Sequence, residues 1–150
     1  MFRTIVWATD GSAAADAALP YAKALAAADH GELVAVYGEE HFVGRASAYP
    51  VQADSDEIKA KIHDQVEQLR EEGLDASLTI VPGLGSGTAH LIADAAREIG
   101  ADAIVAGTRG HGPVTGLLVG SVTQRLLHVA PCPVLVIPSR GATQQASVAA

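Results

Sequence analysis

Short runs of apolar, mostly β-branched residues alternate along this chain with longer stretches of helical period, and that alternation restricts the fold more than any other feature. The runs are Phe2–Ala8, Leu33–Tyr37, Ala76–Val81, Ala103–Ala106 and Pro133–Ile137. Each is continuously apolar or nearly so, which suits strands buried on both faces of a parallel sheet. A helical pattern separates each run from the next, so the strands are joined by crossovers. The prediction is an α/β fold: an open, parallel five-stranded sheet with helices on both faces.

The helices are predicted from apolar spacing and turn residues. After Asp10, Gly11 and Ser12 turn the chain, the first helix runs to about Ala28, with Ala14, Ala18, Tyr21, Ala22 and Leu25 on one face. Pro20 lies inside it and predicts a kink or a restart. The stretch from Gly38 to about Ala53 has no period and is predicted as a long loop. A second helix begins near Asp54 to Asp56, turns Ile58, Ile62, Val66 and Leu69 inward, and stops at Gly73 in a left-handed cap. Pro82 to Gly87 form a glycine-rich turn, and Thr88 is placed to cap a third helix with Leu91, Ile92, Ala95 and Ile99 inward, ended by Gly100. The fourth helix is predicted over 121–129.

At 150 residues and 49% hydrophobic content, the chain supports one core, assigned to a single domain over 1–139, with 140–150 a frayed tail. The formal charge is −7, and the ten Lys and Arg residues are scattered, which argues against a nucleic-acid partner. The apolar run before Asp10 is too short for a signal peptide or a membrane span, so a cytoplasmic location and no membrane partner are expected. Cys132, the single cysteine, stands between prolines and reads as a small core residue. Trp7 reads as core as well.

Right-handed crossovers on such a sheet leave a switch point, and ligands sit outside the carboxyl ends of the strands there. The turns after Ala8 and Ala106 hold the densest chemistry in the chain. The second spans Gly107 to Ser121, with glycines at 107, 110 and 120, separated by two and then nine residues, and a hydroxyl after the last. Gly107 and Gly110 lack Cβ, so the backbone can take positive φ and aim successive N–H groups into a concavity suited to an anion. Gly120 permits close approach where the last helix begins. Ser121 either caps that helix or offers its hydroxyl to a phosphate at the positive end of the dipole. Arg109 is the one cation inside the loop, and its position leaves open whether it reaches a phosphate or faces solvent. No Gly-Lys-Ser or Gly-Lys-Thr follows the first glycines, so this is no Walker A loop, and a phosphate site here must rest on amides and helix dipoles.

This loop, with Ile104–Gly107 before it and Gly120–Ile137 after it, resembles the carboxyl half of universal stress proteins, and Ile5–Ser12 resembles their first strand and turn. The resemblance covers about residues 3–138. It implies a Rossmann-like sheet of order 3-2-1-4-5, a homodimer joined through strand five, and ATP or another adenine nucleotide as cofactor, with or without Mg. It further implies that Gly107, Gly110, Gly120 and Ser121 hold the phosphates with help from the Val122 N–H. Asp10 then lies near the ribose and metal-linked phosphates, and the Val36 backbone meets the adenine. Asp10 before Gly-Ser also serves as a turn former without any ligand. The expected role is nucleotide-dependent regulation or stress response. Cyclic AMP binding, slow ATP hydrolysis and a nucleotide-free interaction module are the alternatives. The turn from Gly83 to Thr88 is longer than most members carry.

Other constellations are weaker. Gly83, Gly85 and Gly87 form only a fragment of a dinucleotide fingerprint, and Asp102 precedes its strand instead of ending one. The first turn, Thr9–Ser12, is one glycine short of the Ser-Gly-Gly of adenylating relatives. The six histidines show no metal spacing, and His111 alone lies in the glycine loop. No residue reads as catalytic: Ser12 and Ser121 have no base in view.

Overall fold

A computed structural model describes residues 1–40, 50–83, 87–108 and 119–139, with the backbone alone for 40 and 50–54. The elements are β1 (Thr4–Ala8), α1 (Ala13–Ala28), β2 (Glu32–Glu40), α2 (Pro50–Glu71), β3 (Asp75–Gly83), α3 (Thr88–Ile99), β4 (Ala103–Gly107), α4 (Ser121–Val129) and β5 (Val134–Ile137). The five strands form one parallel sheet in the order β3-β2-β1-β4-β5. Fold class and strand order are as expected from the sequence. The predicted tail over 140–150 and most of the long loop, 41–49, lie outside the described residues.

Alternate strand residues feed two cores. Ile5, Trp7, Leu33, Ala35, Tyr37, Ala103 and Val105 face α1 and α2, which contribute Ala18, Ala22, Ala26, Ile62, Val66 and Leu69. Val6, Ala8, Val34, Val36, Ile104 and Ala106 face α3 and α4, which contribute Ala89, Ile92, Ala93, Ala96 and Leu126. With both faces covered, β1 and β4 are buried almost throughout, which is why they read as unbroken apolar runs.

Alanine lines the inner side of α1, so that helix lies close to the sheet, and Trp7 fills the space beneath it. Its ring is fully buried and its Nε1–H donates to the Ala15 carbonyl at 2.9 Å. Trp7→Phe loses both volume and this bond. Destabilisation of about 2 kcal/mol is expected, lowering Tm by roughly 4–8 °C in thermal unfolding.

Several boundaries differ from expectation. α1 is a single helix with Pro20 exposed inside it, and no restart occurs there; the buried alanines on either side hold it to the sheet. Tyr21 is 41% exposed and does not join the inward face. β2 and β3 pair three positions further than expected, through Gly38 with Val81, Glu39 with Pro82 and Glu40 with Gly83. α2 starts at Pro50, where a missing N–H costs nothing in a first turn. Glu39 anchors this region: its Oε1 accepts from Ser55 Oγ at 2.8 Å and pairs with Lys59 Nζ at 2.6 Å, and that bond holds the Lys59 ammonium above its usual range. Gly87, not Thr88, is the cap residue of α3, with φ 76° and no side-chain cap bond. Residues 84–86 of the predicted turn lie outside the described residues. Gly73 and Gly100 take the positive φ expected of helix ends.

Asp102 joins the starts of β1 and β4, its Oδ2 accepting the N–H groups of Arg3 and Thr4, each at 2.9 Å. The Thr4 and Arg3 bonds, in that order, hold its carboxyl below the ordinary value. A depressed folded-state pKa stabilises above the unfolded pKa and is lost as pH falls through the folded one. Asp102→Asn should therefore lower Tm at pH 7, and its gap to the parent should close as acid protonates the parent carboxyl; a gap that does not vary with pH would refute this.

Candidate functional site

Two turns meet at the carboxyl end of the central strands. The turn after β1 is held by its own side chains. Thr9 Oγ1 accepts the Gly11 N–H at 3.1 Å, Asp10 Oδ1 accepts the Ser12 N–H at 2.9 Å, and Ser12 Oγ caps α1 by accepting from Ala15 N–H at 3.2 Å. Gly11 takes φ 77°, the left-handed conformation that the Asp-Gly-Ser signature requires. The Thr9 N–H reaches the Val36 carbonyl at 3.1 Å, so Asp10 is tied through its neighbour to β2. Val36 itself is fully buried, paired between Ala8 and Thr79, and its carbonyl already has this partner.

Gly107 ends β4 beside this turn. It is not among the glycines of positive φ, which corrects the expectation that its backbone curls. Its lack of Cβ answers a different demand: a Cβ there would stand 2.4 Å from the Ala14 carbonyl oxygen in the first turn of α1. The Gly107 carbonyl accepts from Thr123 Oγ1 at 2.8 Å inside the protein. Thr108 donates its N–H to Ile137 at 3.1 Å and accepts the Gly120 N–H with its carbonyl. The glycine-rich segment therefore leaves from and returns to one place, its ends bonded to each other. Arg109 and Gly110 fall between those ends and, with His111, lie outside the described residues.

The start of α4 differs from that of α1. Gly120, with φ −66°, is the cap residue and makes no side-chain cap bond; Ser121 is the first helical residue, so it is not the cap. A cap must precede the helix, so of the two roles the sequence left open for Ser121, capping is excluded. The first helical hydrogen bond is from Gln124 N–H to the Gly120 carbonyl at 2.9 Å. The N–H groups of Ser121, Val122 and Thr123 precede it and have no partner within the helix, and Ser121 and Val122 are exposed. At α1 the Ser12 hydroxyl takes up the Ala15 N–H, whereas among the described residues no side chain takes up a first-turn N–H of α4, which leaves donors at the positive end of a dipole, an arrangement suited to an anion.

The structure thus brings Asp10, Val36, Gly107, Gly120, Ser121 and Val122 to one end of the sheet. The sequence reading missed Thr9, Thr108 and Thr123, which fix the two turns; Thr9-x-Gly11 is a side-chain turn signature that would have marked the first. Among the described residues there is no cluster of three or more His, Cys, Asp or Glu able to hold a metal, and no helix long and apolar enough to cross a membrane. Cys132 is partly buried against the α3/α4 core, and burial raises its thiol pKa, as suits an unreactive packing residue.

Residues 1–138 match the universal stress protein family. A universal stress protein of Thermus aquaticus is 37% identical over 142 residues, spanning 91% of this chain and 99% of that protein. The solved universal stress protein of Lactobacillus plantarum superposes with a TM-score of 0.78 at 25% identity, over 91% of this chain and 97% of that one. The universal stress protein of Archaeoglobus fulgidus solved in complex with dAMP superposes at 0.66 and 23% identity, over 91% and 98% of the two chains, a likeness of fold.

Proposed function

The chain belongs to the universal stress protein family, and from that premise we propose that it binds an adenine nucleotide, ATP in the first instance, between the turn after β1 and the start of α4. The observation that carries this reading is the start of α4, where the cap residue is a glycine and, among the described residues, the exposed Ser121 and Val122 amides have no helical partner, beside the closed ends of the glycine-rich segment. The phosphates lie on those amides with Gly107, Gly110 and Gly120 as backbone close to them, and Arg109 is the loop's own cation. Asp10 meets the ribose, whereas the adenine contact expected of the Val36 backbone is not carried forward, since Val36 is buried in mid-strand and its carbonyl is bonded to the Thr9 N–H. With no cluster of three or more His, Cys, Asp or Glu among the described residues, a Mg ion at this site would be brought in by the phosphates and not held by the protein alone.

In this reading the bound nucleotide stabilises the fold by mass action and alters the surface offered to partners in the cytoplasm, without rapid turnover. Dimerisation through β5 is consistent with its place at the sheet edge and with Leu135 at 41% exposure. The test is to denature freshly purified protein and identify the released small molecule by mass. An adenine nucleotide near one per chain supports the proposal; its absence, together with no heat of binding for ATP, ADP, AMP or cyclic AMP, removes it in favour of a nucleotide-free interaction module.

A further inference from the structure

The turn that carries Asp10 is also held from outside. Lys61, in the middle of α2, donates from Nζ to the Gly11 carbonyl and to Asp16 Oδ2, each at 2.7 Å. One helical turn later, Gln65 Nε2 donates to the other Asp16 oxygen at 2.9 Å. Ile58, one turn earlier on α2, sits so close that a Cβ on Gly11 would lie 3.0 Å from its Cγ2. Three successive turns of α2 therefore grip the turn after β1 and the first turn of α1. The grip is electrostatic as well as steric. Asp16 is an acidic residue in the first turn of α1, in a chain of net charge −7, and left alone it would repel an anion at this end of the sheet. Lys61 meets that charge and takes the same turn's free carbonyl.

We infer that Lys61 is a positioning residue for the candidate nucleotide site: it holds Gly11 and Asp16 so that Asp10 is presented in one conformation. The inference rests on the nucleotide reading above for its functional half, and its structural half stands without it. The Lys61 side chain is 43% exposed, so its replacement leaves the core intact. Lys61→Met removes the charge and both bonds, whereas Lys61→Arg keeps a cation of similar reach.

The experiment measures amide hydrogen exchange at Gly11 and Ser12 in the ligand-free protein, and ATP affinity by calorimetry, for the parent and both variants. Loss of a charge-assisted bond predicts about tenfold faster exchange at Gly11 and Ser12 in Lys61→Met, with core amides such as Val105 unchanged. ATP affinity is expected to fall by about tenfold in Lys61→Met and to be largely restored in Lys61→Arg. Parent-like exchange at Gly11 and Ser12 in Lys61→Met would overturn the inference, as would parent-like ATP affinity in that variant when the parent binds ATP. If the parent itself binds no adenine nucleotide, the proposed function falls while the exchange measurement still decides whether Lys61 holds the turn.

Discussion

Replacing Gly107 by alanine, the smallest possible side chain, is expected to destabilise the ligand-free protein by about 3 kcal/mol and to lower its Tm by roughly 6–12 °C. The new Cβ would stand 2.4 Å from the Ala14 carbonyl oxygen and 2.7 Å from its carbon, and both are backbone atoms that no rotamer change can move. Relief requires α1 to lift from the sheet, yet Ala18, Ala22 and Ala26 on its inner side are fully buried against Trp7 and its neighbours. A Gly107→Ala protein as stable as the parent in thermal or urea unfolding would show that α1 does not lie this close to β4.

Gly110→Val is expected to do the reverse, leaving the fold nearly as stable and removing nucleotide affinity by at least about a hundredfold, which corresponds to losing two or so charge-assisted amide bonds. If this loop binds phosphate as proposed, a branched side chain at that position would fill the space the phosphate needs. The closure between Thr108 and Gly120 and the bond from Thr123 to Gly107 lie outside the substituted position and are expected to survive. Calorimetric titration with ATP and thermal unfolding of the same sample separate the two effects. Unaltered affinity would remove the loop from the site. Together the two glycine variants assign different tasks to residues that look alike in sequence, one steric and one ligand-facing.

That contrast marks where the sequence was legible and where it was not. The five strands and their order followed from doubly buried apolar runs and from the family resemblance, because burial on both faces writes itself into consecutive residues such as Ile5, Val6 and Trp7. The inward face of α2, Ile62, Val66 and Leu69, followed from period alone. The extension of β2 through Gly38, Glu39 and Glu40 did not, since polar and glycine residues are strand there only because β3 continues alongside them. Gly107 was assigned to the loop's curl because the carbonyl that excludes its Cβ belongs to a residue 93 positions earlier in the chain, Ala14. Lys61 was invisible for the same reason: its partners, Gly11 and Asp16, lie 50 and 45 residues away. Short-range chemistry, such as Asp-Gly-Ser at a helix start, was readable; contacts made by packing one crossover against another were not.

The most direct test of nucleotide binding at this end of the sheet is an amide-resolved NMR titration of the parent protein with ATP. Saturable shifts are predicted at Gly107, Gly120, Ser121 and Val122, with a smaller one at Asp10 and none on the exposed face of α2 around His63. No saturable shift, or shifts gathered away from the starts of α1 and α4, would contradict it.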